Sequence, residues 1–387
     1  MPRQELTWSE AGNVRRALWR SENNSAPPAR VVVATDLGVA PALELVRQGT
    51  GILWRGDFQK ARQLLIDLGK CLKTPVVSLP GSVRATFEHH RRVQAERARA
   101  LGLLLIPFNQ DGSVPLRRAP DVRLACEEAY LDILGGAPEP FVASLRELLG
   151  LIGAHEWRKK GVPVAALGAN IHPYYGVFSP VRGEYVALVA NAPLPFGCSR
   201  AFDIGAGTGV LAAVLSRRGV RNVVATDSDP RAVACAHENF KRLGLRGVEV
   251  VRADLFPPGR ASLIVCNPPW LPGEPTSALE HAVYDPDSTM LRRFLKGLPA
   301  HLDEDGEGWL IMSDFAELLG LRAPGELGDM FQVAGVRVVG KRETRPTHGK
   351  VGDSNDPLHA ARAAEVTSLW RLKVRVKGAP SLPPSPW

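Results

Sequence analysis

The sequence predicts an α/β protein. A C-terminal parallel sheet, covered by helices on both faces, carries an antiparallel hairpin at its edge, and a smaller α/β domain precedes it. Three observations predict this. The chain has 387 residues, which at roughly 150 residues per domain is two domains. Beyond residue 165, continuous apolar segments alternate with helix-periodic ones, the pattern of a parallel sheet buried on both faces. The last two strand-like segments follow one another with only a polar loop between them, which predicts an antiparallel pair.

Taken in order, residues 1–29 read as a polar, irregular segment ending in NNSAPPAR. RVVVATD (30–36) and GILWRGD (51–57) read as buried strands. Asp57 is placed to cap a helix from Phe58 to about Leu72, whose Ala61, Leu64, Leu65, Leu68 and Cys71 recur at helical spacing. PVVSLPG (75–81) reads as a strand, 86–101 as a charged helix and LGLLLIPF (101–108) as a strand. Asp111-Gly112 marks a turn. Helices are expected at about 120–133 and 140–158, the second with Phe141, Leu145, Leu148, Leu149 and Ile152 on one face. Trp157–Gly161 reads as a linker. This gives a domain over 30–160 with no glycine-rich loop and no catalytic constellation, suited to recognising a substrate or to scaffolding.

The second domain is expected over 161–377. AFDI (201–204), NVVATD (222–227), VEVV (248–251), SLIVC (262–266) and GWLIMS (308–313) read as strands. Helices fit at about 208–218, 230–243 and 288–302. FQVAGVRVVGKRE (331–343) and EVTSLWRLKVRV (365–376) form the edge hairpin. The proline-rich residues 378–387 read as a disordered tail.

Composition excludes several classes. With 45% hydrophobic and 23% charged residues, the chain is not globally disordered. No run approaches the ~18 apolar residues of a membrane span, and MPRQELTWSE lacks the apolar core of a secretory signal. The five cysteines are scattered and show no CxxC spacing, so neither a disulfide framework nor a zinc site is indicated. They read as reduced thiols of a cytoplasmic protein. The net charge of +8 suits a polyanion such as RNA, and equally a solvated arginine-rich surface. Arg91-Arg92 with Arg97 and Arg99, Arg117-Arg118, and Arg158-Lys159-Lys160 are the candidate phosphate contacts.

The chemistry concentrates in four places. FDIGAGTGVLA, from Phe202, is a strand, a Gly205-x-Gly207-x-Gly209 loop and a helix start, where glycines let a ligand approach the backbone and free N–H groups await it. It is not the GxGxxG of a dinucleotide site. Asp203 before the loop suits an ammonium better than a phosphate. Asp227 ends the next strand, where a ribose diol is held by paired hydrogen bonds, and Ser228 beside it joins the same site. Asp254-Leu255 after the third strand is placed to flank an adenine. The fourth is Asn267-Pro268-Pro269-Trp270 after SLIVC. Prolines fix the backbone there and donate nothing, Asn267 adds an acceptor, and Trp270 a stacking face.

With these residues in view, segment 175–315 resembles the class I S-adenosylmethionine-dependent methyltransferases that carry a (D/N)PP(Y/F/W) signature. It is similar to two branches: the release-factor glutamine methyltransferases and the guanine-N2 methyltransferases of ribosomal RNA. The resemblance implies a Rossmann-like sheet and S-adenosylmethionine as cofactor. It implies that Gly205, Gly207 and Gly209 wrap its methionine part, that Asp203 supports its amino group and that Asp227 holds its ribose. Asn267 and the Pro268 carbonyl would orient an acceptor nitrogen. In GVFSPVRGEYVALV (176–189), Pro180, Arg182 and Glu184 match one branch and Val177, Phe178 and Ser179 the other. Phe178 and Arg182 are thereby placed beside the cofactor. Trp270 stands where Tyr or Phe is commoner, and the following loop lacks the double glycine of the release-factor branch.

The expected reaction is methyl transfer to a planar exocyclic amino or amide nitrogen, first a nucleobase of ribosomal or transfer RNA. The alternatives are a protein glutamine, as in a release factor, or a small metabolite. His172, His281, Glu280, Tyr284 and Asp285 are minor candidates for assisting.

Overall fold

A computed structural model describes residues 4–22, 25–73, 82–130, 139–276, 279–346, 353 and 356–375. The expected strand at 75–81 and the tail from 378 lie outside the described residues. The chain divides into two compact units. The first is built on residues up to Lys160 with Pro173–Gly176. The second takes Gly161–His172, Val177–Pro275 and the chain from Leu279 onward.

The first unit opens with β1 (Glu5–Glu10) and β2 (Asn13–Trp19), so the expectation of an irregular N-terminus is corrected. The two strands pair antiparallel across Ala11 and Gly12. Both of these residues have positive φ, as a tight two-residue hairpin requires. The signal is weak in the sequence because β2 is mostly exposed, and only Leu6 and Trp8 of β1 point inward. Next come β3 (Arg30–Ala34), α1 (Val39–Arg47), β4 (Thr50–Trp54), α2 (Phe58–Cys71), α3 (Val83–Leu101) and β5 (Leu104–Phe108). Every residue of β4 and β5 is buried. Asp57 caps α2 by accepting from the N–H groups of Gln59 and Lys60, and Arg118 grips the same carboxylate with two bonds of 2.7 Å.

The expected pair of long helices after this is also corrected. α4 is short (Arg123–Ala129), and Phe141–Ser144 is a strand, β6, followed by α5 (Leu145–Lys160). Phe141 leaves the helix because β6 pairs antiparallel with β5 and its ring stacks on Phe108 at 4.3 Å. The sheet order is β1-β2-β6-β5-β4-β3. The residues read as a linker are the last turn of α5, ended by Gly161 at φ +73°.

The second unit begins with a small hairpin of β7 (Val162–Val164) and β8 (Ala169–Ile171), then α6 (Glu184–Asn191). The expected alternation follows: β9 (Arg200–Ile204), α7 (Val210–Arg217), β10 (Asn222–Asp227), α8 (Pro230–Arg242), β11 (Val248–Arg252), β12 (Ala261–Cys266), α9 (Thr289–His301) and β13 (Leu302–Ser313). The end comprises α10 (Phe315–Leu318), α11 (Glu326–Val333), β14 (Val336–Thr344), α12 (His359–Ala364) and β15 (Thr367–Val374). The expected strand from 331 starts later, because α11 runs to Val333 and Gly335 turns the chain at φ +70°.

The seven strands are ordered β11-β10-β9-β12-β13-β15-β14. Five are parallel, and β15 and β14 add the antiparallel edge pair. Successive residues of one strand feed opposite cores. Ala201, Leu263 and Val265 pack with α6, α7 and α8, while Phe202 and Ile264 pack with α9 and α11. The connection runs outward one way from β9 through β10 to β11, then returns to β12 on the other side. That reversal is the topological switch point, where open α/β sheets bind ligands at the carboxyl ends of the strands. Among the described residues no helix is long and apolar enough to cross a membrane.

Candidate cofactor and acceptor site

The carboxyl ends of β9, β10 and β12 carry the residues singled out above. Gly205, Gly207 and Gly209 all have positive φ, from +54° to +77°, which side chains disfavour. The three serve different needs. A Cβ on Gly209 would stand 2.5 Å from the Phe240 ring, whereas one on Gly207 would meet no atom within 4 Å. Gly209 thus lets α7 and α8 approach, and Gly207 fronts open space. The loop is tied to β10: the N–H groups of Gly205 and Ala206 donate to the Thr226 carbonyl, each at 2.9 Å, and Gly207 N–H donates to Asp227 Oδ2 at 2.9 Å. Its far side is held by Asn239, a residue of α8 that no local motif marks. Its amide donates to Thr208 O at 3.0 Å and accepts from His172 N–H at 2.9 Å. His172 therefore enters through its backbone.

Asp203 is 1% exposed, and its Oδ2 accepts from Ala212 N–H at 2.9 Å. Burial pushes its carboxyl up to about 7; the Ala212 bond pulls it down and nearby Asp227 pushes it further up. Burial raises Asp227 too, against its bonds from Asp229 and Gly207 N–H. Neither carboxylate has a cationic partner among the described residues. Asp203 is buried and Asp227 half-buried, and a positive ligand group beside them would favour their ionised forms.

Asp254 stands apart. It is exposed and pairs with Arg293 of α9 at 2.7 Å, which lowers its pKa. Leu255 has φ +73° and its carbonyl accepts from Thr226 Oγ1, while the Ser228 carbonyl accepts from Arg252.

The Asn267-Pro268-Pro269-Trp270 turn leaves β12 beside the loop, since Cys266 pairs with Ile204. Pro268 is buried, and Asn267, Pro269 and Trp270 are half-buried. Trp270 Nε1 donates to Asn267 Oδ1 at 2.9 Å. Arg322, 4% exposed, donates to the Trp270 carbonyl and to Ser288 Oγ. Phe178 is half-buried on the segment leading to α6. Arg182 faces Trp270 with its guanidinium 5.4 Å from the ring centre, and is bonded to Glu184 at 2.8 Å and to Glu365 at 3.1 Å. Glu365, from beyond α12, was not legible because 183 residues separate it from Arg182. Asp285 proves to be a helix cap, accepting from Met290 and Leu291 N–H, and His281 is exposed on a short turn. The structure thus joins the glycine loop, Asp203 and Asp227 in one cluster and Asn267, Trp270 and Arg182 in a second, and leaves Asp254 outside both.

Residues 170–336 match the methyltransferase small domain family. The ribosomal protein L11 methyltransferase of Caldanaerobacter subterraneus subsp. tengcongensis is 41% identical over 138 residues, covering 30% of this chain and 44% of that protein. The release factor glutamine methyltransferase of Cereibacter sphaeroides is 34% identical over 140 residues, covering 32% and 50%. The chain spans about half the length of these relatives. A solved ribosomal protein L11 methylase of Lactobacillus delbrueckii subsp. bulgaricus superposes with a TM-score of 0.35 and 17% identity, covering 52% of this chain and 82% of that one. Residues 170–336 are thus similar to a methyltransferase domain. The residues present fit S-adenosylmethionine, the cofactor that the sequence resemblance implies: the open space before Gly207 admits a ligand to the backbone, and two carboxylates without a cationic partner among the described residues suit its positive charge.

Proposed function

With residues 170–336 similar to a methyltransferase domain, we propose that the protein is an S-adenosylmethionine-dependent N-methyltransferase acting on the exocyclic amino nitrogen of a nucleobase in ribosomal or transfer RNA. The observation that carries this reading is the placement of Asn267-Pro268-Pro269-Trp270, donor-poor and acceptor-rich, directly after β12, the strand that pairs with β9 and its buried Asp203.

Asp203 would receive the cofactor's ammonium group, Asp227 its ribose, and the N–H groups and open face of the glycine loop its methionine part. Bound S-adenosylmethionine would supply a methyl group on a positively charged sulfur, a sulfur–carbon bond being exchanged for a nitrogen–carbon bond and the acceptor's proton being lost to water. The chain's own task is alignment and charge stabilisation. The Asn267 side-chain oxygen has two lone pairs. The Trp270 indole takes one, leaving one for an acceptor N–H. The Pro268 carbonyl takes the second N–H. Held by both, the nitrogen lone pair is freed from its ring and directed at the methyl group. Trp270 offers the stacking face.

The first unit is assigned the choice of substrate. Residues 1–160 contain 23 lysines and arginines against 17 acids, so most of the chain's excess positive charge lies there, as phosphate binding favours. The protein would work in the cytoplasm, with its RNA. A second reading, methylation of a protein glutamine, is favoured by the release factor relative. Incubating wild-type protein and methyl-labelled S-adenosylmethionine with extract from a strain lacking the gene, then counting RNA and protein fractions separately, tests the two. Label in RNA supports the first reading, label in protein the second.

A further inference from the structure

We infer that Glu365 is a positioning residue for the acceptor site, acting through Arg182 and Trp270 on Asn267. The inference rests on the proposed transfer for its catalytic consequence, but its geometry stands independently. Glu365 is 1% exposed at the entry to β15, on the antiparallel edge added to the parallel sheet. Its backbone is pinned on one side, because Val366 N–H donates to Asp314 Oδ1 at 2.8 Å and Asp314 N–H donates to the Val366 carbonyl at 3.1 Å. Its Oε1 accepts from Ser313 Oγ at 2.8 Å and from Arg182 Nη2 at 3.1 Å. A buried carboxylate with two such donors is fixed in place, and its charge is matched by one cation.

Arg182 has few options as a result. Its Nε donates to Glu184 at 2.8 Å and its Nη2 to Glu365. The guanidinium plane is thereby set over the Trp270 ring, 5.4 Å from its centre, within the range where a cation is attracted to an indole face. Trp270 in turn donates its indole N–H to Asn267 Oδ1. This bond fixes which end of the Asn267 amide faces the indole, and therefore how its remaining acceptor lone pair is presented. Tyr or Phe at position 270 has no ring N–H to do this. The link from Glu365 to Asn267 explains why the guanidinium of Arg182 is bonded to acids of the chain itself. It also gives the edge strands a part in the chemistry.

The test uses the full-length protein labelled with nitrogen-15. The Trp270 indole N–H resonance is assigned by its loss in Trp270→Phe. In Glu365→Ala and in Arg182→Leu that resonance shifts while the other indole resonances, Trp54 and Trp309 among them, stay in place. In Glu365→Gln, which keeps an acceptor oxygen, it remains near its wild-type position. In the labelled-methyl assay, Glu365→Ala lowers kcat roughly tenfold with the KM for S-adenosylmethionine unchanged, and Glu365→Gln restores most of it. An unmoved Trp270 resonance in both Glu365→Ala and Arg182→Leu, with the fold intact, overturns the inference. Should wild-type protein transfer no methyl group to any fraction, the proposed function fails, and the resonance still decides the positioning role.

Discussion

The backbone N–H of Gly207 donates to the side chain of Asp227 at 2.9 Å, so the middle of the glycine loop and the tip of the next strand form one unit. Because a Cβ on Gly207 would project into open space, its substitution separates binding from stability. Gly207→Ala is expected to cost about 1–2 kcal/mol of stability from its φ of +54°, yet to weaken S-adenosylmethionine binding by more than roughly tenfold by filling the ligand's space. Thermal unfolding and titration calorimetry check the pair of values.

Gly209→Ala is expected to behave in the opposite way. Its Cβ would lie 2.5 Å from the Phe240 ring at a φ of +77°, and overpacking adds to backbone strain. A loss of about 2–4 kcal/mol in chemical denaturation is expected, larger than that of Gly207→Ala. Equal losses for the two would contradict the distinct roles assigned to them.

Asp203 gives stability a pH dependence of known sign. Its folded pKa of about 7 lies above the ordinary 3.8, so between these values the folded chain holds a proton that the unfolded chain releases. Its contribution is full below about pH 4 and is lost as the pH rises through 7. Urea titrations of wild type and Asp203→Asn at pH 5 and pH 8 are expected to show a smaller fall in the variant. Binding of a cationic ligand group favours the ionised carboxylate, so cofactor binding at pH 6 should release a proton, which calorimetry in buffers of different ionisation enthalpy detects.

Asp254 pairs with Arg293, and both side chains are largely exposed, at 69% and 51%. Exposed pairs contribute little to stability, so Arg293→Ala should leave the melting temperature nearly unchanged. If Asp254 accepts from the adenine amino group, Asp254→Ala weakens cofactor binding by about tenfold and Arg293→Ala does not. Matching affinities for both variants would remove Asp254 from the site.

The alternating elements of the second unit were legible because buried parallel strands such as SLIVC are continuously apolar and the long helices carry full amphipathic turns. The glycine loop, Asp203, Asp227 and Asn267 were legible because each sits at a strand end. What escaped was of two kinds. The hairpin of β1 and β2, the three-residue strands β7 and β8, and β6 with only Phe141–Ser144 are too short or too exposed to show a period. Arg182 with Glu365, and Asn239 with His172 and Thr208, are pairings across 183, 67 and 31 residues, which local pattern cannot reveal. Arg182 illustrates the difference. The motif places it beside the cofactor, while its observed bonds join it to Glu184 and Glu365 and its guanidinium faces the Trp270 ring.

The most direct measurement compares wild type with Asn267→Ala in methyl transfer from labelled S-adenosylmethionine to RNA of a strain lacking the gene, with cofactor affinity measured in parallel. Wild type is expected to label RNA, and Asn267→Ala to bind the cofactor as tightly but to transfer at least about a hundredfold more slowly. Absence of label in RNA with wild type, or transfer by Asn267→Ala at the wild-type rate, would contradict the proposed function.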